Sequence, residues 1–223
     1  MKILKDYENE ITAGELLAYI KGGVPEMYQD DAEELLETIA ANDALHPAAV
    51  YTAAAVTKIE GDTVWMDDIP FRSATLAKAA KEGDTVYPAM VTAGWGLEKL
   101  MDELDEPLQV YLNEVLMGKC LDDAALYIAK EICESGSGSK MYMAVPGIEN
   151  VCPIEGRDRI LELLPDALDI TGAVLKDGSL RPVYSNTFVL YLGEGYDNLC
   201  LDWESPKERI AFMARLNAIA GHV

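Results

Sequence analysis

Residues 143–164 read MAVPGIENVCPIEGRDRILELL, and this stretch constrains the fold more than any other part of the chain. It predicts a short apolar strand, a polar loop from Pro146-Gly147 to Cys152-Pro153, and then an amphipathic helix. Proline fixes one backbone angle and glycine reaches conformations closed to other residues, so such a loop can bring backbone N–H groups close to a ligand. We therefore predict a binding site in the middle of the chain, beside a cysteine.

The composition excludes several classes of function. The 223-residue chain carries a net charge of −21, with 18 basic residues among 39 acidic ones, which argues against nucleic-acid and anionic membrane partners. No apolar run reaches the roughly 20 residues that a membrane span needs. The N-terminus is charged where a signal peptide would be apolar. We expect a cytoplasmic protein that forms a single domain over residues 1–223.

Cysteine and histidine are too sparse for the common catalytic and metal sites. The four cysteines are widely spaced without a Cys-x-x-Cys pair, and His46 and His222 are the only histidines. This pattern argues against structural zinc and against a Ser-His-Asp hydrolase. Two interpretations of Cys152 remain, a reactive thiol or an inert cysteine at a turn. The second is favoured because nearby acidic residues offset Arg157 and Arg159.

The arrangement of turns predicts an α+β fold with an antiparallel sheet. Hairpins are expected at Gly61-Asp62 and at Asp177-Gly178, whereas the helices come in runs. A capping box at Thr12 opens the first helix. Further expected strands cover 48–59, 63–66, 85–92, 141–145, 171–176 and 180–192. Further expected helices cover 26–41, 97–104, 107–117, 121–135 and 154–164, together with a short helix from Ser73 to about Lys81 and a last helix opening at Ser205.

Two short motifs each leave two interpretations open. Gly94-Trp95-Gly96 follows a strand and opens a helix, as a nucleotide-binding turn does, but Lys99 stands where that motif needs its third glycine. A tight strand-to-helix turn is therefore the favoured interpretation. Ser185 and Asn186 interrupt an apolar strand, and their side chains either bond neighbouring backbone or line a cleft.

Three stretches together resemble the activation domain of vitamin B12-dependent methionine synthase and the stand-alone proteins related to it. They are VTAGWGLE at 91–98, LDDAALYI at 121–128, and VPGIENVCP at 145–153, the last followed by a helix, a hairpin and PVYSNTF at 182–188. Their order and spacing hold from about residue 12 to residue 193. The resemblance implies a long, curved antiparallel sheet flanked by helices.

The resemblance also implies a ligand and the residues that contact it. The family binds S-adenosylmethionine beside cobalamin, and the methyl group is transferred to the cofactor during reductive reactivation of an oxidised cobalt. Its ligand motif is Arg-x-x-x-Gly-Tyr, with a Cys-Pro turn shortly after. In this chain Met143 stands at the Arg position and Ile148 at the Tyr position, whereas Pro146 and Gly147 match the motif.

Two further site predictions come from the same resemblance. Cys152 and Pro153 match the Cys-Pro turn, and either Asp122 or Asp123 takes the place of an acidic residue on the corresponding helix. The methionine side chain at position 143 is uncharged, so it cannot donate the charge-assisted hydrogen bonds that arginine donates to a ligand carboxylate. Losing such a contact costs on the order of 2–5 kcal/mol.

Two functional hypotheses follow. In the first, the chain is an accessory protein of corrinoid-dependent methyl transfer that binds S-adenosylmethionine and meets the corrinoid only through a partner, either a corrinoid protein or a cobalamin-dependent methyltransferase. In the second, the chain is a non-enzymatic binding module that kept the fold and lost the ligand, because Met143 and Ile148 are apolar. Whether the chain is an enzyme stays open between the two.

Overall fold

The computed structural model describes residues 1–5, 7, 11–20, 26–134, 140–147 and 152–193, and the structural statements below concern these residues. An eight-stranded sheet lies at the centre, and each of its strand pairs is antiparallel. Its strands are β1 (Lys2–Lys5), β2 (Ala48–Tyr51), β3 (Ala54–Glu60), β4 (Thr63–Met66), β5 (Ile69–Arg72), β6 (Thr85–Thr92), β7 (Lys140–Ala144) and β10 (Ser185–Gly193). The strands β8 (Val174–Lys176) and β9 (Ser179–Arg181) form a separate hairpin.

Strand β6 is the centre of the sheet. Strand β10 runs along one of its edges, from the pair Ser185–Thr92 to the pair Tyr191–Val86. On the other edge β2 and then β3 pair with successive parts of β6, and β3 continues into the hairpin with β4 and β5. Strand β7 adds to β10, and β1 adds to β2. Strand β7, which leads into the Pro146-Gly147 loop, therefore lies at the edge of the sheet beyond β10.

The prediction of one strand over 48–59 is wrong, because the strand is interrupted between β2 and β3. The N–H of Thr52 donates to the carbonyl oxygen of Pro88 at 3.2 Å. In a strand, a residue's N–H and C=O point to the same side, so the donor that Pro88 lacks would also have faced this edge. The ladder loses a hydrogen bond there, and pairing resumes at Ala54.

Helices cover both faces of the sheet. They are α1 (Ala13–Tyr19), α2 (Gln29–Ala41), α3 (Ala74–Ala79), α4 (Trp95–Met101), α5 (Pro107–Glu134), α6 (Gly156–Leu163) and α7 (Ala167–Thr171). Alternate residues of a strand point to opposite faces. Val86 and Met90 of β6 accordingly pack in the core with α3, α6 and α7, whereas Ala89 and Val91 pack against α5. Helices α1, α2 and α4 share a third core cluster with α5.

The structure corrects the prediction of two helices over 107–117 and 121–135. Helix α5 runs without interruption through Gly118. A glycine inside a helix costs about 1 kcal/mol relative to alanine. Leu116, Met117, Cys120 and Ala124 are fully buried around it, and burial of several apolar side chains outweighs that cost.

Other local predictions are confirmed or corrected in the same way. The capping box at Thr12 and the hairpin at Asp177-Gly178 are confirmed. The single strand predicted over 180–192 is two strands, because β9 ends at Arg181, before Pro182, and β10 begins at Ser185. Strands β1 and β5 and helix α7 had no counterpart in the sequence prediction. The helix predicted at Ser205 lies outside the described residues, so the single-domain prediction stays a prediction.

Candidate functional site

The loop after β7 is closed by a hydrogen bond between its two ends. The N–H of Gly147 donates to the carbonyl oxygen of Cys152 at 2.9 Å, so this N–H is used by the loop itself. Gly147 has a φ of 124°, a conformation that side-chain-bearing residues rarely adopt. Among the described residues, a Cβ at this position would meet only the side chain of Ile154, at 3.8 Å. The positive φ angle, rather than contact with a described neighbour, therefore explains the glycine at this position. Ile148 lies outside the described residues.

Cys152 belongs to the hydrophobic core. Its side chain is fully buried in the cluster that contains Phe71, Tyr142 and Ile160. A reactive thiol needs a partly exposed, electropositive environment. The structure therefore supports the interpretation of Cys152 as an inert residue at a turn. Pro153 beside it is half-buried.

A cleft of about 260 Å³ lies between α5 and the ends of β7 and β10, and we call it the α5 cleft. Its walls include Tyr19 at the end of α1, Asp122 of α5, Met143 of β7, and Asn186 and Phe188 of β10. These residues are far apart in sequence. The structure thus brings together two predicted site residues, Asp122 and Met143.

The structure also distinguishes Asp122 from Asp123. Asp122 lines the α5 cleft and accepts a hydrogen bond of 2.5 Å from the hydroxyl group of Tyr19. Asp123 is buried and forms an ion pair with Lys119, one helical turn earlier. Of these two aspartates, Asp122 therefore lines the α5 cleft, whereas Asp123 is paired within α5.

The chemistry of the α5 cleft favours neutral or cationic groups. Its lining contains one carboxylate and, among the residues that the structure describes, no basic side chain. Burial raises the pKa of Tyr184, and the charge of Glu114 adds to this effect. Tyr184 therefore stays protonated at neutral pH. Met143 is only 7% exposed and contributes an apolar wall.

A second cleft, of about 330 Å³, lies beside Pro146, and we call it the arginine cleft. It is lined by Arg157 of α6 and Arg181 of β9, together with Ser179, Ile154 and Asn186. Asn186 lines both clefts, so the two lie next to each other at the same end of the sheet. Both polar residues that interrupt the β10 strand, Ser185 and Asn186, line the arginine cleft, and Ser185 also donates a hydrogen bond of 2.8 Å to the hydroxyl group of Thr92.

The predicted site residues therefore do not form a single site. Asp122 and Met143 line the α5 cleft, Pro146 lines the arginine cleft, and Cys152 is in the core. Sequence reasoning considered Arg157 only as a neighbour of Cys152 and did not single out Arg181. No local sequence pattern links these two arginines, because Arg157 lies on α6 and Arg181 lies on the β8–β9 hairpin, and only folding brings both to one cleft.

Gly94 and Gly96 are explained by close backbone packing. A Cβ at Gly94 would lie 2.6 Å from the carbonyl oxygen of His46, and one at Gly96 would lie 2.2 Å from that of Ala44. Both distances are far below van der Waals contact. This packing supports the tight-turn interpretation of the motif. His46 is exposed and lies 3.3 Å from Asp43.

The described ranges contain neither a cluster of metal ligands nor a membrane-spanning helix. No three His, Cys, Asp or Glu side chains there are grouped to hold a metal ion. No helix in the same ranges is long and apolar enough to cross a membrane.

Comparison with known proteins identifies the fold. No protein-family model matches the sequence, and no curated protein does. A solved structure does match, the crystal structure of the MetH reactivation domain bound to AdoHcy, with a TM-score of 0.57 over 89% of this chain and 81% of that one. The two chains share a fold. The predicted resemblance to the methionine synthase domain and the predicted α+β fold class are thereby confirmed, and the sequence identity of 14% restricts the likeness to the fold.

Proposed function

We propose that this chain is an accessory protein of corrinoid-dependent methyl transfer whose α5 cleft binds S-adenosylmethionine or AdoHcy. One observation carries the proposal. In a chain with the fold of the MetH reactivation domain, Asp122 and Met143 meet in one cleft, and they stand at positions where the resemblance expects ligand contacts. The corrinoid would be met only through a partner, a corrinoid protein or a cobalamin-dependent methyltransferase, in the cytoplasm.

The residues of the α5 cleft fit the cationic part of S-adenosylmethionine. When bound, this ligand supplies a transferable methyl group on a positively charged sulfur. The carboxylate of Asp122, held by Tyr19, attracts the positive sulfonium and ammonium groups. The aromatic rings of Phe188 and Tyr184 offer an apolar surface to the adenine ring. No basic residue among the described lining residues meets the ligand carboxylate.

Isothermal titration with S-adenosylmethionine and with AdoHcy tests the proposal. AdoHcy lacks the sulfonium charge, so Asp122→Asn should weaken S-adenosylmethionine binding more than AdoHcy binding. Asp30→Asn, on the exposed surface of α2, removes the same charge elsewhere and should leave both affinities unchanged. A second titration uses a cobalamin-loaded corrinoid protein. The absence of heat with all three ligands would contradict the proposal.

A second candidate function is a non-enzymatic binding module that has lost S-adenosylmethionine. The observation that favours it is Met143, which is nearly buried at the position where the resemblance expects arginine. On this hypothesis the wild-type chain binds a protein partner and neither small ligand. Titration of the wild-type chain separates the two candidates, because only the first predicts that it binds S-adenosylmethionine or AdoHcy.

A further inference from the structure

We infer that the arginine cleft binds a small organic oxyanion, a carboxylate or a phosphate monoester, at a site separate from the α5 cleft. The inference does not depend on the proposed function. It stands on the charge, the hydrogen bonding and the shape of this cleft.

The charge of the cleft is opposite to that of the chain. The net charge of the chain is −21, yet the ten described residues that line the cleft include two arginines and no acidic residue. The side chain of Arg181 makes no hydrogen bond or ion pair with any other residue in the described part of the chain. A cation that has no protein partner and lines a concave surface is available to a ligand.

Arg157 holds the cleft in shape. Its side chain is only 11% exposed. One terminal nitrogen donates to the carbonyl oxygen of Gly178 at 2.6 Å, while Nε and the other terminal nitrogen donate to Asp158 at 3.2 and 3.1 Å. These contacts fix the β8–β9 hairpin against α6. Because Arg181 is the last residue of that hairpin, the bonds of Arg157 position the strand that carries it.

The remaining walls indicate an organic ligand. Asn186 lines the cleft, and no hydrogen bond of its side-chain NH₂ group is found among the described residues. On the apolar side, Ile154 is 50% exposed and Val183 is 56% exposed. The volume of about 330 Å³ lies at the lower end of the range for small-molecule sites. An oxyanion head on the arginines, with a small apolar body against Ile154 and Val183, fits these features.

Four probes test this inference by titration and by chemical-shift mapping. Phenyl phosphate and benzoate should bind, inorganic phosphate should bind more weakly because it lacks an apolar body, and neutral benzyl alcohol should not bind. The shifts should map to Arg181, Asn186 and Ile154. Comparing phenyl phosphate with benzoate shows which oxyanion the cleft prefers.

Two variants with equal charge changes provide the control. Arg181→Gln removes a side chain without structural partners in the described chain and should weaken phenyl phosphate binding at least tenfold. Arg159→Gln, on the same α6 helix as Arg157 but paired with Glu162, should leave it unchanged. Three results would each overturn the inference. They are equal losses of affinity in both variants, binding of benzyl alcohol as tight as that of benzoate, and no binding of any charged probe. Since S-adenosylmethionine is not a probe, these results are independent of the proposed function.

Discussion

The hydroxyl group of Tyr19 donates a 2.5 Å hydrogen bond to Asp122, and so joins the end of α1 to the middle of α5. Both residues line the α5 cleft. Removing the hydroxyl group leaves the carboxylate without this donor, and hydrogen bonds to charged groups contribute about 1.5–3 kcal/mol. We expect Tyr19→Phe to lower the free energy of unfolding, measured in urea, by about 1–2 kcal/mol because the site is only half-buried. Tyr111→Phe, at an exposed residue of α5, should have no effect, and similar losses in both variants would contradict the assigned role.

Met143→Arg should restore a partner for the ligand carboxylate. If position 143 contacts the ligand, the affinity for S-adenosylmethionine should rise on the order of 30-fold, which corresponds to about 2 kcal/mol. AdoHcy carries the same carboxylate and should gain similarly. Titration of the folded variant measures the gain.

Two controls accompany the Met143 variant. Met143→Leu keeps the volume without the charge and should change neither affinity. Met143→Lys supplies a positive charge without the planar guanidinium group of arginine, and it should raise the affinity less than Met143→Arg does. A folded Met143→Arg protein that binds no more tightly than wild type would show that position 143 does not contact the ligand carboxylate.

Gly94→Ala and Gly96→Ala should both destabilise the protein strongly. The new Cβ atoms would lie 2.6 Å and 2.2 Å from the backbone oxygens of His46 and Ala44. Overpacking of this kind costs about 1–3 kcal/mol or more. Gly14→Ala provides the control, because a Cβ there meets no described residue within 4 Å, and it should be neutral or stabilising by up to about 1 kcal/mol. Unfolding in urea measures all three, and an unchanged midpoint for Gly96→Ala would refute the close contact.

The capping box at the start of α1 makes stability depend on pH. The N–H of Thr12, at 2.9 Å, and then its hydroxyl group, at 2.8 Å, donate to the Glu15 carboxylate and lower its pKa from the ordinary value of 4.5. The folded state therefore favours the ionised form. The contribution is present above about pH 4.5 and is lost as the pH falls through the lowered folded pKa. Glu15→Gln should be less stable than wild type at pH 7.

The difference in stability between wild type and Glu15→Gln should then shrink as the pH falls from 5 toward 3. Thermal unfolding across this range measures it. Glu37→Gln, at an exposed position of α2, serves as the matched control and should show no such convergence. A Glu15→Gln difference that stays constant with pH would contradict the ionised capping contact.

Features that depend on neighbouring residues were predictable from the sequence. The capping box at Thr12 and the turn at Asp177-Gly178 each use side chains and dihedral angles within a few residues, so local chemistry specifies them. Strand β6 was also predicted at its observed bounds. The interruption between β2 and β3, opposite Pro88, was not predicted. Proline lacks an N–H donor, and the effect of that lack depends on which strand pairs with this side of β6.

Sequence alone determined the fold class and the loop between β7 and α6, because alternating apolar residues and turn residues act over short distances. Only the tertiary structure decided that Asp122 lines the α5 cleft while Asp123 pairs with Lys119. It also decided that Arg157 and Arg181 share a cleft. Adjacent positions on a helix face different directions, and the neighbours they meet are set by the packing of elements remote in sequence. A local pattern therefore locates the site within the chain, and the long-range packing decides its chemistry.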